Sequence, residues 1–369
     1  MPTAPPLRIG VLGCGQIADA HLQEVRYVPG ATLVGVCDQH QELADQAARR
    51  FAVPGAFSSL DRMLEEARPD VVHLTTPPHT HAPLACRLLN HGVHVYVEKP
   101  FTVDVAEADE IFAAAKVNNK LVCVGHDHLF DPVWLRLQNL VAGGRLGEIV
   151  HIDSVMGYNL EGPFGKIMFS DPQHWLHRLP GGLFQNNISH AIYKIAPFLS
   201  DELPRIWATT DRLGEGRPPT ELRVLLQGEL VTASVLFSSR ARPVQRTAKL
   251  YGTKGTVEVD LEGRTIRWYR SARLPGALGK LDLPWLQLCE ATANLRRNSW
   301  DFFRCRQQFF AGMRQLFTRF YAAIREDGEP PISYADIRRV TQWMDEIFRR
   351  YNEELEVSGR SNPELVRQI

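Results

Sequence analysis

The chain has 369 residues, long for one hydrophobic core, so two domains are expected. A hydrophobic content of 44%, a charged content of 23% and zero formal net charge describe a globular protein with no overall pull toward nucleic acid or anionic lipid. The opening MPTAPPLRIG has one basic residue and no long apolar run, which argues against a secretion signal, and no segment approaches the roughly 20 apolar residues of a membrane span.

The first 125 residues alternate strands and helices. Leu7 to Gly13 reads as a buried strand, IADAHLQEVRYV as a helix, and ATLVGVCD as a second strand. QELADQAARRFA, HAPLACRLLNHG and VAEADEIFAAAKVNN are helical, whereas DVVHLTT, HVYVEK and KLVCVGH are strands. Continuous apolar strands separated by amphipathic helices predict a parallel sheet covered on both faces. Gly92 and Asn119 stand where helix C-caps belong. After about residue 125, short strand-like runs follow in series from EIVHIDSVMG to TIRWYR, which predicts an α+β domain with an open, mostly antiparallel sheet. A helical tail runs from about Trp285 to Tyr351. The expected domains are residues 1–125 and 126–369. Of the six cysteines, none form a C-x-x-C pair, which suits reduced thiols in a cytoplasm better than disulfides or zinc.

Gly13, Gly15 and Ala18 stand in G-x-G-x-x-A spacing after the first strand and at the opening of the first helix. This is the dinucleotide fingerprint: a tight turn at Gly13, backbone open to a pyrophosphate at Gly15, close helix packing at Ala18, and a helix N-terminus (Gln16, Ile17) facing the phosphates. Asp38 ends the second strand, placed to accept hydrogen bonds from the adenosine ribose and to repel a 2′-phosphate. No arginine adjoins it, since Arg49 and Arg50 lie along the next helix, so NAD is expected rather than NADP.

The glycine loop, TTPPHTHAPLACRLLNHGVHVYVEKP and LYGTKGTVEVD together resemble the glucose–fructose oxidoreductase / inositol dehydrogenase (Gfo/Idh/MocA) family. The resemblance implies an N-terminal Rossmann domain, a C-terminal domain with an open sheet, and a sugar, polyol or related hydroxyl compound as substrate. It makes Lys99 the catalytic lysine, aimed by a cis bond to Pro100. It puts Thr76, Pro77 and Pro78 under the nicotinamide, His81 at the start of the following helix, and Glu98 beside the nicotinamide ribose. In PGGLFQNNISHAIYKIAPFL, Gly181 and Gly182 match the family glycines and His190 the catalytic histidine. Asn186 stands where many members have Asp, Ile188 replaces a Gly, and Tyr193 replaces a later Asp. Asp127 and His128 take the places of a usual Asn and Arg.

In this reading His190 is the base and Lys99 stabilises a developing alkoxide. Asn186 holds a substrate hydroxyl or orients His190 but cannot take a proton. The plainer alternatives are a backbone-satisfied histidine at a helix start and asparagines serving as caps. Asp127, Tyr158, Trp175, Asn186 and His190 join Lys99 as candidate substrate contacts, with His174, His177, Arg178 and Arg240 as further wall residues. His126 and His128 have no carboxylate-rich pattern beside them, so no metal is expected. The function expected is hydride transfer between NAD and a sugar-like compound in a homo-oligomer joined through the C-terminal sheet. The alternative is a non-catalytic relative that senses dinucleotide or sugar.

A segment at about 275–325 is longer than the family's usual connection. Trp285 to Arg325 holds seven Arg against one Glu and one Asp, with aromatics including Trp300, Phe302, Phe303, Phe317, Phe320 and Tyr321. It reads either as a helix pair packed on the second domain or at a dimer interface, or as a basic aromatic surface for a membrane or a lipid-linked or phosphorylated sugar. No nucleic-acid motif accompanies the charge.

Overall fold

The computed structural model describes residues 5–162, 171, 174–211, 219–304 and 310–357. The chain divides into two units, residues 1–127 with 312–341 and residues 128–311 with 342–369.

The first unit holds a six-stranded parallel sheet in the order β3-β2-β1-β4-β5-β6. Its strands are β1 (Leu7–Leu12), β2 (Ala31–Cys37), β3 (Gly55–Phe57), β4 (Val71–Leu74), β5 (His94–Val97) and β6 (Val122–Val124). Helices α1 (Gln16–Val25), α2 (Gln41–Phe51), α3 (His81–Asn90) and α4 (Val105–Val117) alternate with them. The strands are buried nearly throughout, as crossover helices on both faces require. Asp104 opens α4 by accepting from the Glu107 amide at 2.9 Å, while the Glu107 carboxylate accepts from the Val103 amide at 3.0 Å. Gly92 and Asn119 have φ of 78° and 50°, the left-handed geometry expected at helix ends. Chain order reverses between β1 and β4, and the crevice at such a point, outside the strand C-termini, is where open α/β sheets take ligands.

The second unit holds a seven-stranded sheet in the order β13-β12-β11-β7-β10-β9-β8. Its strands are β7 (Ile149–Gly157), β8 (Arg205–Thr210), β9 (Glu221–Gln227), β10 (Thr232–Ser238), β11 (Arg246–Gly252), β12 (Thr256–Asp260) and β13 (Thr265–Tyr269). All neighbours are antiparallel except β7 and β10. Ile152, Met156, Val224 and Phe237 bury one face, and α6 (Gly182–Ile192) packs on it after α5 (Pro132–Ala142). The Ser154 hydroxyl, fully buried on that face, donates to the Ala191 carbonyl at 3.0 Å. The other face leaves Trp207 and its cross-strand partner Leu225 about half exposed.

The tail departs from the expected plan of one cut near residue 125 and one insertion. It forms α7 (Gly279–Phe303), α8 (Ala311–Arg325) and α9 (Tyr334–Val357). Helix α7 packs on β13 in the second unit, whereas Gly312–Thr341 groups with the first. Phe317, Phe320 and Tyr321, read from sequence as part of a basic aromatic surface, are fully buried there. They lie on the inner side of an amphipathic helix whose arginines point elsewhere: Arg314 reaches the nearly buried Glu24 at 2.7 Å. Phe309 lies outside the described residues.

Candidate active site

In-register pairing brings the ends of β1, β2, β4 and β5 to one edge of the first sheet. The ladder continues past them, with the Gly13 amide donating to Cys37, Thr75 to Leu12 and Glu98 to Leu74. Gly13, Asp38, Thr76 and Lys99 are therefore gathered at the switch point. Gly13 has φ +97°, and a Cβ there would stand 2.9 Å from the Thr75 and Thr76 backbone, so both conformation and space demand glycine. Gly15 is the extended N-cap of α1 and faces open space, while Ala18 is fully buried. Gln16 is exposed and Ile17 half-buried beside it. This arrangement suits a pyrophosphate at the start of α1.

Asp38 has a structural duty that sequence did not indicate. Its carboxylate accepts from the Cys14 amide at 2.8 Å and the His40 amide at 2.9 Å, fastening the glycine loop to the end of β2. Each oxygen keeps a lone pair for a ribose hydroxyl. Burial followed by the charge of Asp38 pushes the Cys14 thiol up to about 12, so Cys14 is a packing residue and not a nucleophile. Arg50 pairs with Asp19 on the surface, and among the described residues no arginine is bonded to Asp38.

Two residues expected at the cofactor, His81 and Glu98, are enclosed braces. The His81 ring is fully buried, with Nδ1 facing the Pro100 and Phe101 carbonyls at 3.1 and 3.0 Å and Nε2 facing the Thr76 carbonyl at 2.8 Å. It ties the Thr76–Pro78 loop to the segment after Lys99. Burial pulls its pKa below the ordinary value against those three carbonyls, so the neutral ring donates to one side only. Thr76 and Pro77 remain half-exposed, and Pro78 is buried. Glu98 is also enclosed: one oxygen meets His21 Nε2 at 2.9 Å and the other accepts from the Lys99 amide at 3.0 Å. Burial pushes the Glu98 carboxyl up, but His21 and Lys99 outweigh it and hold it below the usual range. Lys99 is half-buried, and the Lys99–Pro100 bond is cis.

Behind Glu98 runs a buried chain absent from the sequence reading. His21 Nδ1 lies 2.9 Å from His73 Nδ1, and His73 Nε2 lies 2.8 Å from the Tyr321 hydroxyl. All three side chains are fully buried. Burial and then His21 drive the His73 pKa well below its ordinary value, so His73 is neutral and has one N–H for its two partners. The signal was present: His73 interrupts an otherwise apolar strand, and His21 falls on the buried face of α1.

In the second unit, Asn186 and His190 lie one turn apart on α6. Gly181 precedes it because a Cβ there would strike Phe348 at 2.1 Å, and Gly182 has φ +49°. His190 is half-buried, stacked on His128 with ring centroids 4.4 Å apart. Its Nδ1 lies 2.7 Å from the buried Tyr193 hydroxyl, which also accepts from the His128 amide at 3.3 Å. With Nδ1–H donating to Tyr193, Nε2 carries a lone pair and can take a proton. Tyr193, which sequence marked only as a departure from the family, thus orients the candidate base. The neighbouring Asn187 amide donates to the Leu183 carbonyl, a back-bond within the helix and not a cap. Tyr158 sits half-buried beyond β7, and Trp175 opens a short 3-10 turn. Asp127 is the last residue of the first unit's opening segment.

Residues 7–126 match the oxidoreductase family with an NAD-binding Rossmann fold, and residues 134–258 match the GFO/IDH/MocA C-terminal domain. The chain belongs to the GFO/IDH/MocA family. Its first unit is an NAD-binding domain of that family. Myo-inositol 2-dehydrogenase of Thermotoga maritima is 21% identical over 69% of this chain and 75% of its own. An uncharacterized oxidoreductase of Schizosaccharomyces pombe is 29% identical over 41% of this chain, and that match spans 42% of the relative's length. Among solved structures, the WlbA dehydrogenase of Bordetella pertussis, in complex with NADH and UDP-GlcNAcA, superposes with a TM-score of 0.77 at 20% identity, covering 96% of this chain and 98% of its own. This last likeness establishes the shared fold.

Proposed function

We propose that this protein is an NAD-dependent oxidoreductase that moves a hydride between nicotinamide and a hydroxyl or carbonyl carbon of a sugar, polyol or sugar derivative. The observation that carries the reading is the gathering of the glycine loop, Asp38, Thr76 and Lys99 at one sheet edge in a chain of this family. NAD, when bound, supplies the hydride acceptor. The start of α1 would hold the pyrophosphate and Asp38 the adenosine ribose. Lys99, as an ammonium, donates a hydrogen bond to the reacting oxygen and stabilises its alkoxide character. His190 Nε2 takes the hydroxyl proton while Nδ1–H stays on Tyr193, so the charge formed on the ring has a fixed acceptor. Asn186 orients a substrate hydroxyl without exchanging a proton. The same groups in reverse protonation serve carbonyl reduction.

The inositol and nucleotide-sugar ligands named for the relatives support a polyhydroxylated substrate. The exposed Trp207–Leu225 pair on the open sheet face supports a homo-oligomer joined there. No helix among the described residues is long and apolar enough to cross a membrane, and a cytoplasmic location is part of the proposal.

NADH absorbance followed with nucleotide sugars, free sugars and inositols tests the activity. With an active substrate found, Lys99→Met should lower kcat by about two to three orders of magnitude, the usual effect of removing an oxyanion donor. Turnover undiminished in Lys99→Met would refute the mechanism.

A further inference from the structure

Eighteen large apolar side chains are exposed among the described residues, and ten of them fall between Leu274 and Phe303. Helix α7 carries most of these. It is 25 residues long, roughly 37 Å at 1.5 Å per residue. Its inner side is accounted for. Asn294 exchanges hydrogen bonds with the Ile266 backbone, Glu290 accepts from the Trp268 amide at 2.9 Å, and Asp282 is paired with Arg270 at 2.7 Å. At 3.6 residues per turn, Leu281, Trp285, Leu288, Leu295, Phe302 and Phe303 share an arc of about 100° opposite that packed side. They are not grazing exposures: Trp285 is 65% accessible, Leu295 68% and Phe303 80%. Solvating so broad an apolar face on a folded protein is costly, and such faces mark binding surfaces.

Charge decides what covers it. Of the three acids on α7, Asp282 and Glu290 are engaged at the packed side, and Asp301 falls on that side too. None lies on the apolar arc. Arg296 borders the arc, Lys280 flanks it more widely, and Arg304 at the helix end stacks over Trp300 at 4.2 Å; Arg297 falls on the packed side, 3.5 Å from Asn294 Oδ1. A second copy of this face would set arginine against a surface with no carboxylate to answer it. Lipid phosphates would answer it. Tryptophans near both ends, leucines between them and cations at the margin are the composition of a helix lying at a bilayer interface, and the cations forbid insertion across one.

We propose that α7 is an in-plane membrane anchor, its Leu281–Phe303 face seated at the headgroup–acyl boundary of an anionic bilayer with Lys280, Arg296 and Arg304 on lipid phosphates. The proposal is independent of the hydride-transfer reading. The full chain should co-sediment with vesicles of phosphatidylglycerol and phosphatidylcholine. It should bind pure phosphatidylcholine vesicles less, and lose the difference in high salt. Spin-labelled lipid should quench tryptophan fluorescence in the wild type and less in Trp285→Ser. Leu288→Glu with Leu295→Glu should cut the bound fraction about tenfold or more, as expected when buried apolar area is replaced by charge. Both sites are exposed, so the melting temperature should hold, which separates lost docking from lost folding. The proposal is overturned if the wild type fails to bind anionic vesicles at low salt, or if the double variant binds as well as the wild type. It is equally overturned if sedimentation velocity shows a lipid-free self-association that the double variant abolishes, which would give the face to a second copy.

Discussion

Lys194 follows the His190–Tyr193 pair by one residue and is fully buried, yet its ammonium has no hydrogen-bond partner among the described residues. Burial first, then the nearby charge of Arg246, pulls its pKa down to about 7. The unfolded chain holds this lysine near its ordinary value of about 10.4. A base whose pKa falls on folding costs nothing when both states are neutral, costs more as pH drops toward the folded value, and reaches a plateau below it. Lys194→Met should therefore stabilise the fold by roughly 2–4 kcal/mol at pH 7 and below, and far less near pH 10. Urea unfolding at the two pH values checks this, and an equal or reversed effect would contradict it. Neither Lys194 nor the role of Tyr193 was legible in the sequence. Spacing along a helix tells which residues share a face, but not whether that face meets solvent, and both side chains turned inward. The place of Asp38 and the glycines at the strand ends was legible because a tight turn and a sheet edge constrain residue type locally, and that of Lys99 through the family resemblance.

At the scale of elements, the largest departure is α8. Its aromatic and basic residues read equally well as a wet surface or a packed one, and the helical period could not say which side met protein. The packed side won because Phe317 meets the His73 and Tyr96 rings, at 4.5 and 4.9 Å between centroids, and Tyr321 closes the histidine chain. Tyr321→Phe keeps the ring and removes the hydroxyl from His73 Nε2. Leaving a buried nitrogen unanswered should cost about 1–3 kcal/mol in chemical denaturation. A cost near zero would mean that the hydroxyl does not hold His73. Helix α7 follows the opposite rule. Its sequence resembles that of α8 in aromatic content, but only a narrow side of it packs on β13, and the remainder stays open.

Taken whole, the molecule hides several histidines in their neutral form. Burial lowers His94 to about 4 and His126 to about 3, and drives His73 well down. Such groups cost nothing while the unfolded chain is also neutral, above about pH 6.5, and destabilise the fold increasingly as pH falls toward the folded values. In the Lys194→Met background, which removes the lysine's own pH dependence, thermal stability should hold from pH 8 to about 6.5 and drop progressively to about pH 4. A flat melting temperature across that lower range would contradict the assignment. The two-layer plan behind these burials was legible, since strand and helix periods differ and the first unit's strands are continuous apolar runs. The return of the tail was not, because contacts between residues 73 and 321 leave no local mark in sequence.

That return has a consequence for how the molecule comes into being. As the chain leaves the ribosome, all six strands of the first sheet are available once residue 124 has emerged, but the helix that lids His73 follows almost two hundred residues later. Until then His73 and its aromatic neighbours lack the cover that Phe317 and Tyr321 provide. A nascent chain halted before Ala311 should be digested by protease through the first unit, and one extended through Thr341 should resist.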